Sequence, residues 1–250
     1  MSFLSLQGVS RTFGSFTALE GLSLEVERGE FLAIVGPSGC GKSTLLQIIG
    51  GLLAPSGGSV RFGGAAVSGP RREMIYVFQQ YNRSLFPWRT VRRNVAFGLE
   101  DTGLDRVEIE RKCAEYIELV GLKGFAEHYP HQLSGGMQQR VAVARALAFG
   151  ADVVLMDEPF GSVDAQTRAD LQDLVLRLWR EYRLTVLFVT HDIDEAIYVS
   201  QKVLVLSRAP ARVRAVLATD LPYPRHQVKT KETPAYLAHR RDLYSMVMPA

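Results

Sequence analysis

The stretch Phe31-Leu-Ala-Ile-Val-Gly-Pro-Ser-Gly-Cys-Gly-Lys42-Ser43-Thr44-Leu45 decides how the rest of this chain is read. Phe31 to Val35 is continuously apolar, which suits a strand covered on both faces of a parallel sheet. Gly36, Gly39 and Gly41 follow at once, and a helical run begins near Leu45. This is G-x-x-x-x-G-K-[ST] in its strand–loop–helix setting. Such a loop turns backbone N–H groups inward around phosphate oxygens, where side chains would intrude. The helix behind it adds its own N-terminal amides and the positive end of its dipole. Gly36, Pro37, Ser38, Gly39, Cys40, Gly41, Lys42, Ser43 and Thr44 are therefore the candidate phosphate-binding residues. Lys42 is expected to neutralise the terminal phosphates of a nucleotide, and Ser43 to offer its hydroxyl to Mg²⁺.

Composition agrees with a folded core around that loop. The chain has 250 residues, 47% hydrophobic and 22% charged, which excludes disordered, collagen-like and disulfide-stapled classes. No run approaches the roughly 18 apolar residues of a membrane span. The start, Met-Ser-Phe-Leu-Ser-Leu, has neither a basic nor a long apolar region, so no secretory leader is expected. Two cysteines, Cys40 and Cys113, make no disulfide framework and suit a reducing cytosol. Net charge is +3, yet residues 201–250 hold nine basic and three acidic residues. A scattered excess of this kind reads as a solvated basic surface before it reads as a site for nucleic acid or lipid.

Working outward, Ile75–Phe78, Val153–Met156, Thr185–Thr190 and Lys202–Ser207 are further buried-strand runs. Phe3–Gln7 and Leu22–Glu27 instead alternate apolar and polar residues, as half-buried strands do. Asp105 with Glu108 opens a helix that runs to about Val120, and Thr233-Pro234 opens an amphipathic helix carrying Tyr236, Leu237, Arg240, Leu243, Tyr244 and Val247. Leu171, Leu174, Val175, Leu178 and Tyr182 form one apolar stripe at helical spacing. Alternating strands and helices predict a layered α/β core with a mainly parallel sheet. The middle, about 80–150, lacks a buried strand and reads as an inserted helical lobe.

Two further motifs carry chemistry. Val153-Val-Leu-Met-Asp157-Glu158-Pro159 is a buried strand ending in two acids. Asp157 suits the shell of a magnesium ion, and Glu158 suits a base for an attacking water. Leu133-Ser134-Gly135-Gly136-Met137 then places a hydroxyl and a glycine pair at the start of a helix, a second anion-binding arrangement.

With these motifs in this order, the chain resembles the ATPase subunits of ABC transporters from about residue 3 to 245. The resemblance implies a P-loop NTPase fold: a RecA-like α/β core over 1–79 and 150–208, with an N-terminal antiparallel β part. It implies a helical signature lobe over 80–149 and a short extension over 209–250. It also implies MgATP as cofactor and a head-to-tail homodimer in which Ser134, Gly135, Gly136 and the D-loop Asp164 meet nucleotide held by the opposite subunit. Met137 stands where the family more often has Gln, and Val163 where it has Leu. By the same resemblance Gln79 is the Q-loop residue and a magnesium ligand, with Gln80 as a neighbouring candidate. His191 is the switch histidine that contacts the γ-phosphate. Phe13 stacks on adenine, with Phe16 as its rival.

Ser84-Leu-Phe-Pro-Trp88-Arg89-Thr90-Val91 and the short Pro-Arg tail resemble the nitrate, sulfonate and taurine importer group. That group implies transmembrane permease subunits, a separate solute-binding protein and a place on the cytoplasmic face of the membrane, with no nucleic-acid partner. Leu85, Phe86 and Trp88 are read as lining a groove for a permease helix, with Arg89 as its rim charge. The roughly 50 residues between Gln79 and Leu133 leave no room for the coiled coil of DNA-repair ATPases, and one cassette differs from the pair in translation factors.

Overall fold

The computed structural model describes residues 2–78, 85–100 and 102–247. They divide into two compact units, 1–71 with 176–250, and 72–175.

In the first unit, β1 (Leu4–Phe13) and β2 (Phe16–Val26) form an antiparallel hairpin. Both strands extend well beyond the alternating segments read from the sequence. β4 (Gly57–Phe62) joins β1, and the short β5 (Ala65–Ala66) closes the sheet in the order β2-β1-β4-β5. The expected antiparallel N-terminal part is therefore present. The helical element α1 (Lys42–Ile49) follows β3 (Phe31–Val35), whose five residues are all buried. β3 runs parallel to both β8 (Thr185–Val189) and β9 (Lys202–Leu206), as its unbroken apolar run requires. β10 (Val213–Ala218) pairs antiparallel with β9. Its alternating burial is that of an edge strand, within the extension expected over 209–250.

In the second unit, β6 (Met74–Val77) and β7 (Val153–Asp157) are parallel neighbours. Between them lie α2 (Val91–Ala96), α3 (Arg106–Leu119) and α4 (Gly135–Ala148), the helices expected in the middle of the chain. α3 starts where the sequence placed it. Asp105 accepts from the Glu108 amide at 2.8 Å and the Glu108 carboxylate accepts in return from the Asp105 amide.

α5 (Ala165–Tyr182) contributes residues to both units. Leu171, Leu174, Val175 and Leu178 of the predicted stripe are buried, but Tyr182 is exposed. The fourth turn is anchored by Trp179 instead. Its indole N–H donates to the Gly29 carbonyl at 2.9 Å, and its ring meets Phe31 edge-on with centroids 5.7 Å apart. The chain then returns through α6 (Ile193–Val199), and the described residues end in α7 (Pro234–Val247).

The basic C-terminal fifth is less free than its composition suggests. Lys202 pairs with Glu30 at 2.8 Å, Arg212 with Glu20 at 3.0 Å and Arg240 with Asp194 at 3.1 Å. The acids come from earlier in the chain, so much of the local excess is met within the unit.

Trp179 fixes α5 over β3, and removing it opens a large void. Trp179→Ala is expected to cost about 3–5 kcal/mol, lowering the melting midpoint by on the order of 10 °C. Val107→Ala, at an exposed position, should leave the midpoint unchanged. Thermal unfolding followed by circular dichroism checks both.

Candidate functional site

The phosphate-binding loop sits at the C-terminal end of β3, and its conformation depends on glycine. Gly41 caps α1 in the left-handed region at φ 105°, a value that a side chain rarely tolerates. Lys42 is buried, and its ammonium donates to the Gly36 carbonyl at 2.9 Å and the Pro37 carbonyl at 3.1 Å. The charge is thus held against the loop itself. Pro37 is half-buried, and Ser38, Gly39 and Ser43 are exposed beside it.

Because β8 is parallel to β3, their C-terminal ends lie on one edge, where open α/β sheets bind ligands. Thr190 continues that pairing, its amide donating to the Ile34 carbonyl at 3.2 Å. His191, exposed, comes next. The structure therefore brings His191 and the phosphate loop to neighbouring strand ends. The backbone around His191 is tightly specified: Asp192 N–H donates to Thr190 Oγ1 at 3.0 Å, and Asp192 Oδ1 accepts from the Glu195 amide at 3.0 Å. The Thr190 hydroxyl also bonds the Glu195 carboxylate. Sequence reasoning missed this network, although Asp192 and Glu195 carry the three-residue spacing of a helix cap.

Phe13 and Phe16 face each other across the tip of the β1–β2 hairpin and are 43% and 52% exposed. The Arg11 guanidinium lies 4.5 Å from the Phe13 ring centre. Both rivals for the stacking role are thus available on one tip.

In the second unit, Asp157 ends β7 and is buried. The Tyr76 hydroxyl, from neighbouring β6, donates to Asp157 Oδ2 at 2.8 Å. Tyr76 was not singled out from the sequence, and only the strand pairing reveals it. Glu158 follows with φ 43°, one of two non-glycine residues in the left-handed region among the described residues. Holding such a residue there costs about 1–3 kcal/mol and persists where the surroundings over-determine it, often at functional sites. Gln79, Gln80 and Ser84 lie outside the described residues.

Ser134 caps α4, its hydroxyl accepting from the Met137 amide at 3.3 Å. It is exposed, and Gly135 and Gly136 present the first turn of the helix. Gly136 has a packing reason too, since a β-carbon there would come within 2.3 Å of Thr167 Cγ2. Thr167 in turn donates to both carboxylate oxygens of Asp164, from its amide at 2.9 Å and its hydroxyl at 2.7 Å. These bonds hold the Asp164 carboxyl below the usual carboxylate range. The structure brings Ser134, Gly135, Gly136 and Asp164 together through Thr167.

The loop at 85–90 corrects part of the groove expected there. Leu85 is buried, not lining. Arg89 is not a free rim charge: it stacks over Phe86 and Phe97 at 5.0 and 5.2 Å and pairs with Glu100 at 2.8 Å. Trp88 projects, 70% exposed, with Pro87 exposed beside it. Buried Asn94 ties the loop down, accepting from the Phe86 amide at 2.9 Å and donating to the Phe86, Arg89 and Thr90 carbonyls.

The family model described as ABC transporter matches residues 19–161. This chain belongs to that family. Over 244 residues it is 46% identical to an ATP-binding protein of Brucella abortus, covering 98% of this chain and 93% of that one. It is 43% identical over 234 residues to the aliphatic sulfonates import ATP-binding protein SsuB of Bacillus cereus, covering 92% and 90%. It is equally 43% identical to the nitrate import ATP-binding protein NrtC of Synechococcus elongatus, covering 98% of this chain but 38% of that longer protein. Among solved structures, the ATP-binding cassette MJ0796, a dimer in a post-hydrolysis state bound to ADP and Pi, matches with TM-score 0.74 and 33% identity. That match covers 86% of this chain and 98% of the other. The chain is accordingly an ATP-binding ABC ATPase with the expected α/β fold. No helix among the described residues is long and apolar enough to cross a membrane.

Cys40 lies inside the phosphate loop, where Lys42 and a helix start suggest a reactive thiolate. The structure reverses that expectation. Cys40 is 2% exposed, and burial pushes its thiol up despite the Lys42 charge beside it. A raised value keeps the group as thiol through neutral pH. Iodoacetamide labelling of the folded chain should therefore be slow at pH 7, with or without MgATP, and rise only as pH climbs past the ordinary thiol value. Cys113, whose thiol burial pushes up to about 11, should behave alike. Rapid, ATP-sensitive labelling of Cys40 at pH 7, read by mass spectrometry, would overturn this account.

Proposed function

We propose that this ABC ATPase is the energy-coupling subunit of a membrane importer, sitting peripherally on the cytoplasmic face against transmembrane permease subunits. A separate protein delivers the solute, a small anion or sulfonate such as nitrate, an alkanesulfonate or taurine. The relatives named for nitrate and sulfonate import support this reading. The observation that carries it is Trp88: a large apolar side chain, exposed, on a loop that Asn94 immobilises. Tryptophan is enriched among the anchors that carry binding energy at interfaces, and helix-in-groove docking relies on such anchors.

Gly36 to Thr44 cradle the phosphates, with Lys42 supplying charge, and Phe13 stacks on adenine. His191 contacts the γ-phosphate from the end of β8. Glu158, whose backbone is held in the left-handed region, accepts the proton of the attacking water. Two subunits pair head to tail, so that Ser134, Gly135, Gly136 and Asp164 of one meet ATP bound to the other.

Magnesium suits the donors available. Ser43 offers an exposed hydroxyl and Asp157 a carboxylate positioned by Tyr76, both hard oxygen donors. Among the described residues no three His, Cys, Asp or Glu side chains cluster as a metal cage. A cation that keeps much of its water and uses phosphate oxygens needs no such cage. Ser43 and Asp157, with Gln79, are the proposed ligands, and the bound ion would offset charge on the phosphates.

If Glu158 is the base, Glu158→Gln should slow hydrolysis by roughly 10²–10⁴-fold while ATP binding persists. Steady-state phosphate release and nucleotide titration read the two effects, and a wild-type rate removes Glu158 from the role. The partner surface is tested separately. Trp88→Ala should leave the melting midpoint unchanged, because the ring is 70% exposed, yet abolish co-purification with the permease subunits and solute uptake. Normal uptake by that variant would remove the main support for the docking surface.

A further inference from the structure

The helix that follows His191 is held mainly from outside itself. α6 has seven residues, too few to be stable alone in water. Residues from the C-terminal segment grip it at both ends. At its start, Tyr236 of α7, 1% exposed, shares its hydroxyl proton between the Asp194 carbonyl at 2.9 Å and the Asp194 carboxylate at 3.1 Å. Arg240, one turn further along α7, pairs with the same carboxylate at 3.1 Å. At its end, Arg225 donates to the last carbonyls, Ile197 at 2.9 Å and Tyr198 at 2.6 Å. A guanidinium there satisfies orphan acceptors and meets the negative end of the helix. The Thr219 hydroxyl bonds the Ser200 carbonyl, and the Lys231 ammonium lies 4.9 Å from the centre of the buried Tyr198 ring.

Such an arrangement is more than a generic tail packed on a core. The hydrogen bonds and the ion pair land on backbone carbonyls or a carboxylate of one short element and its C-cap residue Ser200, and that element starts two residues after His191. Burial, with the Asp194 carboxylate nearby, also pushes the Tyr236 phenol up, so the donor persists at every working pH. The network of Thr190, Asp192 and Glu195 then passes the position of α6 to the backbone on either side of His191.

We propose that the C-terminal segment is a positioning element for ATP hydrolysis, in which Tyr236 and Arg225 hold α6 so that His191 keeps its place at the end of β8. The proposal rests on the reading of His191 as a γ-phosphate contact. Tyr236 and Arg225 act through α6 and are positioning residues, not catalytic ones.

Purified full-length chains carrying His191→Ala, Tyr236→Phe or Arg225→Lys test it, with kcat and KM for ATP read alongside hydrogen exchange. Tyr236→Phe keeps the ring and removes one hydroxyl, so kcat should fall about 3–10-fold, the scale of one lost hydrogen bond. KM for ATP should stay within about twofold, because the phosphate loop is untouched. Amide exchange should quicken across 193–199 and not across 31–35. Arg225→Lys keeps charge but loses the paired donation to two carbonyls, and it should show the same pattern; it serves if Tyr236→Phe does not fold. A wild-type rate in His191→Ala overturns the His191 reading, and this proposal with it. A lost rate in His191→Ala beside wild-type kcat in the positioning variants overturns the positioning role alone. A raised KM with unchanged kcat overturns it too, since that pattern belongs to nucleotide binding.

Discussion

The structure is organised by what must happen at the end of β3. A strand buried on both faces, flanked by β8 and β9 in parallel, has to stop, reverse and begin a helix within a few residues. Only a loop with left-handed glycines allows that, and Gly41 at φ 105° is the hinge of the reversal. The same reversal leaves Lys42 bonded to loop carbonyls. Parallel pairing then fixes where everything else in that unit can act. When neighbouring strands run the same way, their C-terminal ends share one edge, so the pairing of β8 with β3 brings His191 to the strand end beside the loop.

Helix starts are the second recurring device. Asp105, Thr90, Ser134 and Asp192 each accept from an amide in the first turn of a helix, and Asp164 does the same for Thr167. Each bond satisfies a donor that the helix itself cannot. Ser134 and Asp164 are also candidate nucleotide contacts, so local structure and chemistry draw on the same side chains. Their exposure follows from the capping geometry, which leaves a hydroxyl or carboxylate at the mouth of the helix. The close approach of Gly136 to Thr167 makes these two starts one assembly.

The C-terminal residues show how composition misleads when read by segment. Their basic excess suggests a solvated surface, yet Arg225 is buried against carbonyls and three other cations pair with acids from earlier in the chain. The two exposed pairs, Arg212–Glu20 and Arg240–Asp194, add little stability each. The buried arginine is different, because its hydrogen bonds replace water that has been excluded, and α6 depends on them.

What the amino-acid order determined by itself is what depends on neighbours a few residues apart. The phosphate loop, the Asp105–Glu108 cap, the buried-strand runs and the order of motifs were all legible, since dihedral freedom, capping and periodicity are local. The resemblance to the family rested on Leu133–Met137, with the other motifs in matching order and spacing. Contacts between distant segments were not legible. Tyr76 reaching Asp157 depends on two strands pairing, and Tyr236 reaching Asp194 depends on α7 folding back onto α6. Tyr182 and Trp179 lie three positions apart on one helix, and only the location of Phe31 and Gly29 decided which of them is buried. Nor could the sequence tell Leu85, buried, from Trp88, exposed, because both are apolar and the distinction belongs to the loop that Asn94 holds. Burial and partnership are properties of the assembled surface, and no short-range rule encodes them.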